Sequence, residues 1–266
     1  MGRGTILIAL LDIINGLKAS RLASILGWQD VRQRYQRSTL GPFWLTITMG
    51  VMVGTIGVVF GKIFKSPMDQ FLPFLAAGLI FWGFISSVIA EGCMSFIAAE
   101  GIIKQLPIPL FLHVLRMIWR NFLIFCHNIL IFPVVLLFFG KSLTLVAFLA
   151  IPGLLILLIN LTWMAFLLAI MCARYRDLPQ IIASLIQILF YLTPVIWLPS
   201  LLPQRAGFYL LDLNPAFHLL EIVRAPLLGS SPSAMNWSVL IGLALAGWGL
   251  TIAVYGIYKR RIAYWL

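Results

Sequence analysis

The sequence predicts an all-α membrane protein with six transmembrane helices, an N-terminal amphipathic interface helix and short re-entrant helices before the last span. Three observations carry this. The 266 residues are 62% hydrophobic and only 10% charged, far from the composition of soluble domains. Uncharged apolar runs of about 18 residues or more recur, the length a helix needs to cross the hydrocarbon core. These runs are continuous, whereas the strands of a membrane β-barrel alternate with period two.

Taken in chain order, residues 1–30 come first. Asp12, Gly16, Ser20 and Ser24 fall on one helical stripe, with Leu7, Leu11, Ile14, Leu22 and Ile25 broadly opposite, an imperfect amphipathic helix suited to a membrane interface. A signal peptide is the competing reading, but Asp12 interrupts its apolar core and the downstream arginines resist translocation. Arg32, Arg34 and Arg37 then crowd against an uncharged segment that begins after Leu40-Gly41-Pro42. Proline is tolerated in the first turn of a new helix.

Spans are predicted over residues 43–64, 71–92, 117–139, 145–172, 178–198 and 237–257, giving one domain over 1–266 with a six-span bundle at 43–257. Placing both termini in the cytoplasm leaves only Lys62, Lys65, Lys141, Arg205 and Arg224 of the nineteen cations outside. That is the bias expected of inner loops. It also explains the net charge of +11 without nucleic acid. Glycines 50, 54, 57 and 61 give the first span a small-residue stripe, read as helix packing, a dimer interface or a gate. Between Leu192 and Trp237 the chain carries six prolines, too many for a regular span. Within it, Asn214 before Pro215 marks a helix start over Ala216–Ala225. Irregular backbone at membrane depth needs protein or a water-filled cavity around it, which suits the mouth of a pore.

The chemistry available is sparse. Eight acids and three histidines offer no acid pair within a span and no zinc spacing. Cys93, Cys126 and Cys172, an odd number, read as small buried hydrophobes. His127, Asn128 and Asn160 lie inside spans, where polar groups are functional candidates or interhelical hydrogen bonders. Glu91, at the inner end of the second span, needs an inner arginine or water. The nearest approach to a phosphate-cradling P-loop, "GVVFGKI", has the wrong glycine spacing, so ATP-driven transport requires another chain. Phe60, Trp82, Phe84, Phe190, Tyr191 and Trp197 lie mid-span or at the mouths. They form a candidate lining on which sugar C–H faces would stack, with membrane-belt or core packing as the alternative.

Three blocks together resemble the ABC-2 family of polysaccharide export permeases. "WQDVRQRYQRSTLGPFW" (Trp28–Trp44) is similar to its opening motif. "ARYRDL" followed by "ILFYLTPVIW" resembles the junction of spans four and five, and "LNPAFHLLEIVRAPLLG" the block before the last span. The resemblance implies a homodimer in the bacterial inner membrane, served by two copies of a separate nucleotide-binding ATPase. It implies no cofactor on this chain, with ATP and magnesium on the partner. The cargo would be lipid-linked polysaccharide, most readily O-antigen. Capsule, teichoic acid, lipid or drug export, or a flippase not driven by ATP, stand as alternatives. Glu100 and Lys104 in "AAEGIIKQLPIP" (Ala98–Pro109), with Arg174, Arg176 and Asp177, would meet the ATPase. That first loop is less basic than the family's usual one, so its role rests on position. Arg32, Arg34 and Arg37 would hold the phosphate-linked lipid head by bidentate contacts.

Overall fold

A computed structural model describes residues 3–35, 41, 43–201, 203 and 207–266. Among these there are helices and turns and no strand. Among the described residues eleven α-helices run in the order α1 (Arg3–Lys18), α2 (Ser20–Tyr35), α3 (Phe43–Ile63), α4 (Met68–Met94), α5 (Glu100–Gln105), α6 (Leu110–Asn128), α7 (Ile131–Phe138), α8 (Ala150–Arg174), α9 (Leu178–Leu192), α10 (Pro215–Leu227) and α11 (Ala234–Trp265). Five stretches among the described residues are long and apolar enough to cross a membrane: α3, α4, Leu110–Phe138, Leu145–Arg174 and α11. The chain is a multi-pass membrane protein.

α4 occupies the centre. It is buried along most of its length, by Phe71, Leu75, Ile80, Ile85 and Val88 among others, and α3, α6, α7, α8, α9 and α10 pack around it. Its companions keep much of their apolar surface outward, as helices do whose solvent is lipid.

Prolines shape the interruptions. Pro133 has no N–H for the carbonyl of Ile129 and its ring crowds that carbonyl, so the third span divides into α6 and α7. Pro73 in α4 likewise frees the carbonyl of Asp69. The Lys141 ammonium donates to that carbonyl and also pairs with the Asp69 carboxylate at 3.1 Å. Past α9 the chain turns extended at Thr193, before Pro194, and the indole N–H of Trp197 donates back to the Tyr191 carbonyl at 3.0 Å. The helix of the expected 178–198 span therefore has 15 residues, about 22 Å at 1.5 Å per residue.

The N-terminal stretch differs from a single surface helix. It is two helices meeting at Ala19, and the first half of the polar stripe, Asp12 and Gly16, faces protein, while Ser20 is exposed and Ser24 half-buried. Ala9, Asp12, Ile13 and Gly16 are buried, while Leu7, Leu11, Ile14 and Leu17 are exposed. Asp12 is the reason. Its carboxylate accepts from the Tyr255 hydroxyl at 2.7 Å and the Phe111 backbone N–H at 3.4 Å, and pairs with Lys259 at 2.8 Å. A carboxylate with three donors is better satisfied there than at an open interface.

Cys93 and Cys172 are buried and free as expected; Cys126 is free but exposed. Asn160 is fully buried and bridges helices. Its amide donates to the Leu240 carbonyl at 3.1 Å, and its oxygen accepts from the indole N–H of Trp163. His127 bonds within its own helix, to the Leu123 carbonyl at 2.8 Å. The glycine stripe of α3 divides: Gly57 and Gly61 sit against Leu72, Leu75, Met68 and Phe71, whereas a Cβ at Gly50 or Gly54 would meet nothing within 4 Å.

Candidate functional site

One end of the bundle gathers α2, α5, the start of α6, the junction of α8 with α9 and the last turns of α11. Two polar assemblies form there.

The first ties α2 to the bundle. Asp30 receives both Arg116 Nε, at 2.7 Å, and Arg116 Nη2 in a fork. Arg120 lies 3.5 Å from Asp30 and 2.6 Å from Glu91, and Asn121 also donates to Glu91. Glu91 thus pairs with an arginine, one of the two partners expected for it, water being the other. A cavity of about 170 Å³ opens beside these groups, lined also by Ser95 and His113. Both His113 nitrogens and the Ser95 hydroxyl are buried without a protein partner, so this is a polar space of the kind that holds ordered water.

The second assembly joins the two expected coupling loops to a segment that sequence reasoning did not include. Glu100 pairs with Lys104 at 2.6 Å one turn apart in α5. The hydrogen bond from Lys104 holds the Glu100 carboxyl below the usual range, with the charges of Lys104 and Arg176 adding to it. Arg176 in turn donates to the carbonyls of Trp265 and Leu266, at 3.3 and 3.1 Å. The Arg174 guanidinium lies over Tyr175, Tyr258 and Trp265, 5.1 to 5.9 Å from their ring centroids. Planar, weakly hydrated guanidinium is suited to such stacking. Asp177 is exposed at the start of α9. The signal for the C-terminal share was present in "YKRRIAYW", where aromatic residues flank three cations.

The candidate lining residues do not share one environment. Trp82 and Phe84 are buried within the chain, against Phe190 and against Phe122 and Phe125. Phe60 is half-buried beside Phe64. Tyr191 is 61% exposed, next to Phe190 and near Trp197, both half-buried. Of the three arginines before the first span, Arg32 is exposed on α2. Arg37 and the side chain of Arg34 lie outside the described residues.

At the opposite end, α10 is set in place by polar contacts. The Asn214 side chain accepts from the Ala216 N–H at 3.0 Å, the expected cap, and donates to Thr193. His218 bridges Asn236 and the Asp212 carbonyl. Arg224 is fully buried. It forks onto Glu221 at 2.6 to 2.9 Å, donates to the Pro194 carbonyl, and lies 4.2 Å from the Phe74 centroid. The helix before the last span is thereby fastened to the break after α9 and to α4.

The comparisons agree with this architecture. Two O-antigen export system permease proteins RfbA of Klebsiella pneumoniae are each 22% identical over 233 residues, covering 87% of this chain and 88% of the relative. RfbA of Myxococcus xanthus is 23% identical over 206 residues, 74% and 76% of the two chains. The ABC-2 type transporter family matches residues 21–228, from α2 through the end of α10. With well over half of its length matched, the chain belongs to the ABC-2 type transporter family.

Proposed function

We propose that this chain is the transmembrane subunit of an ATP-driven exporter of lipid-linked polysaccharide, with O-antigen the first candidate cargo, in a bacterial inner membrane. It would act as a homodimer of six-span subunits with both termini cytoplasmic, α9 continued through Thr193–Trp197 as the fifth span. ATP and magnesium would be held by two copies of a separate ATPase. The O-antigen export permeases among its relatives support the cargo class, and the cation bias supports the orientation.

The observation that carries the coupling role is the convergence of α5, Arg174–Asp177 and the end of α11 on one surface. An ATPase seated there would push on Glu100, Lys104, Arg174, Arg176 and Asp177 together. α5 leads back into α4 and on into α6, and Asp177 opens directly into α9, so displacement at that surface would be transmitted along the bundle. Arg32, Arg34 and Arg37 would receive the phosphate-linked head of the cargo. Tyr191, Trp197 and Phe60, with Trp82, Phe84 and Phe190 behind them, would offer aromatic faces to a sliding glycan. α10 and the preceding turns would form re-entrant gate helices on the outer side.

The test is to purify the chain with its cognate ATPase and reconstitute both in proteoliposomes. Glycan-stimulated ATP hydrolysis with movement of lipid-linked glycan is the expected result. Transport that proceeds without the ATPase would refute the reading. Replacing all three arginines with Gln should reduce export while the complex still assembles; unchanged export removes their role as head-group contacts.

A further inference from the structure

A groove between α2 and α6 has a lining of which the export reading uses only Arg32. Arg21, Ile25, Trp28 and Arg32 recur at spacings of four, three and four, so they share one face of α2. With Ser24, Gln29 and the facing Trp119 of α6 they line a cavity of about 420 Å³. Ile25 and Trp28 are 47% and 55% exposed.

The charge of this groove is unbalanced. Of the acids at this end, Asp12, Asp30, Glu91 and Glu100 each hold a cation elsewhere, and Asp177, at the start of α9, does not line the groove. Arg21 and Arg32 form no ion pair among the described residues, and no acid lines the groove. Its walls are set by backbone contact. A Cβ at Gly27 would stand 2.9 Å from the Arg116 carbonyl oxygen and 3.0 Å from the Trp119 ring. Trp119 is held in turn by stacking on Phe122, with centroids 6.0 Å apart. This is a preformed site, apolar and aromatic in the middle and cationic at both ends.

We propose that the groove binds anionic glycerophospholipid of the leaflet in which α2 lies. Phosphates engage Arg21 and Arg32 through guanidinium forks, and the glycerol region and first acyl carbons cover Ile25, Trp28 and Trp119. Tryptophan prefers that depth, and basic clusters beside a membrane attract anionic headgroups. The spacing favours phospholipid over a lipid-linked pyrophosphate. Eleven residues set the two arginines about 16 Å apart along the helix, suited to phosphates lying side by side in a leaflet, whereas a pyrophosphate concentrates its charge and calls for converging cations. The placement of α2 at the interface comes from the reading above; the binding itself requires neither ATPase nor glycan.

The full chain in nanodiscs supplies the test, with Trp28 as reporter and a Trp28→Phe variant to subtract the other eight tryptophans. Phosphatidylglycerol brominated on its upper acyl chain should quench the Trp28 component more than equally brominated phosphatidylcholine at the same mole fraction. The preference should fall about fivefold in Arg21→Gln, one cation's share of attraction to an anionic surface. Arg21 stands outside the proposed cargo contacts, so that variant should still export with its ATPase, whereas a lipid preference left intact in it overturns the phospholipid site; a wild-type chain that shows the preference but moves no glycan with its ATPase counts against the cargo reading alone. Equal quenching by the two lipids overturns the phospholipid site. Displacement of the brominated phosphatidylglycerol by an equimolar polyprenyl diphosphate also overturns it, and assigns the groove to the cargo.

Discussion

Single residues carry a large share of the specificity of this fold, because a charge surrounded by lipid-facing helices has few places to go. Asp12 is the sharpest case. Truncation to Ala would leave Lys259 and the Tyr255 hydroxyl without their acceptor at a half-sealed site. Stripping one partner from a buried charge pair costs about 3 kcal/mol or more. Asp12→Ala should therefore lower the unfolding temperature in detergent well beyond Asp12→Asn, which keeps a hydrogen-bonding oxygen. In a double-mutant cycle, Asp12→Ala and Tyr255→Phe should couple by about 1 kcal/mol; additivity would mean that the hydroxyl contact contributes nothing. Arg224 extends the argument to substitution chemistry. Its fork serves Glu221 and its remaining amine serves Pro194, with Phe74 beneath. An ammonium cannot reach all three with fixed geometry, so Arg224→Lys should be destabilising although it preserves charge. A thermal shift indistinguishable from wild type would contradict this.

At the scale of elements, the consequences of a substitution depend on whether a helix meets backbone or open space. Gly27 brings α2 onto the Arg116 carbonyl, and Gly92 brings α4 within 2.8 Å of Ala165 Cα, measured from an ideal Cβ. Backbone cannot move aside as a leucine tip can. Gly27→Val and Gly92→Val should each cost about 1–3 kcal/mol through overpacking, read as lost thermal stability of the purified chain. Gly54→Val, facing open space, should leave that stability unchanged; if it impairs export all the same, the exposed stripe of α3 is in use. Much at this scale was legible in the sequence. The first, second, fourth and last spans lie where apolar length places them, and the helix after Asn214 starts at its cap. The expected spans 117–139 and 178–198 run straight through Pro133 and Pro194, where the third span divides and α9 stops, and the third span begins at Leu110. The inward-facing stripe around Asp12 was less legible. Its polar spacing was visible, but its partners Phe111, Tyr255 and Lys259 lie about 100 to 250 residues away, and periodicity cannot say whether a polar face meets water or protein. For the same reason Trp82 and Phe84, plausible on a channel wall by position, proved to be packed inside the chain.

For the whole molecule, the end that gathers α5, Arg174–Asp177 and the last turns of α11 sets the final prediction. α11 has 32 residues, about 48 Å of helix, against a hydrocarbon core of about 30 Å. Its surplus reaches the junction of α8 and α9, where Trp265 stacks on Arg174 and the terminal carbonyls accept from Arg176. If that surface relays the ATPase stroke, the contacts should matter for coupling more than for folding. They are exposed hydrogen bonds and stacking, worth little to stability. Trp265→Ala, and separately removal of residues 264–266, should therefore leave assembly with the ATPase and basal ATP hydrolysis within about twofold of wild type. Export per ATP hydrolysed should fall. Arg174→Lys should behave in the same way, because it keeps the charge and loses the planar stack. Equal export per ATP in all three variants would confine coupling to α5 and the start of α9. Loss of ATPase assembly would instead make the C-terminal turns part of the docking surface itself. Tyr264 gives that outcome a physical basis, since it is 88% exposed beside Trp265 and apolar enough to be covered by a partner.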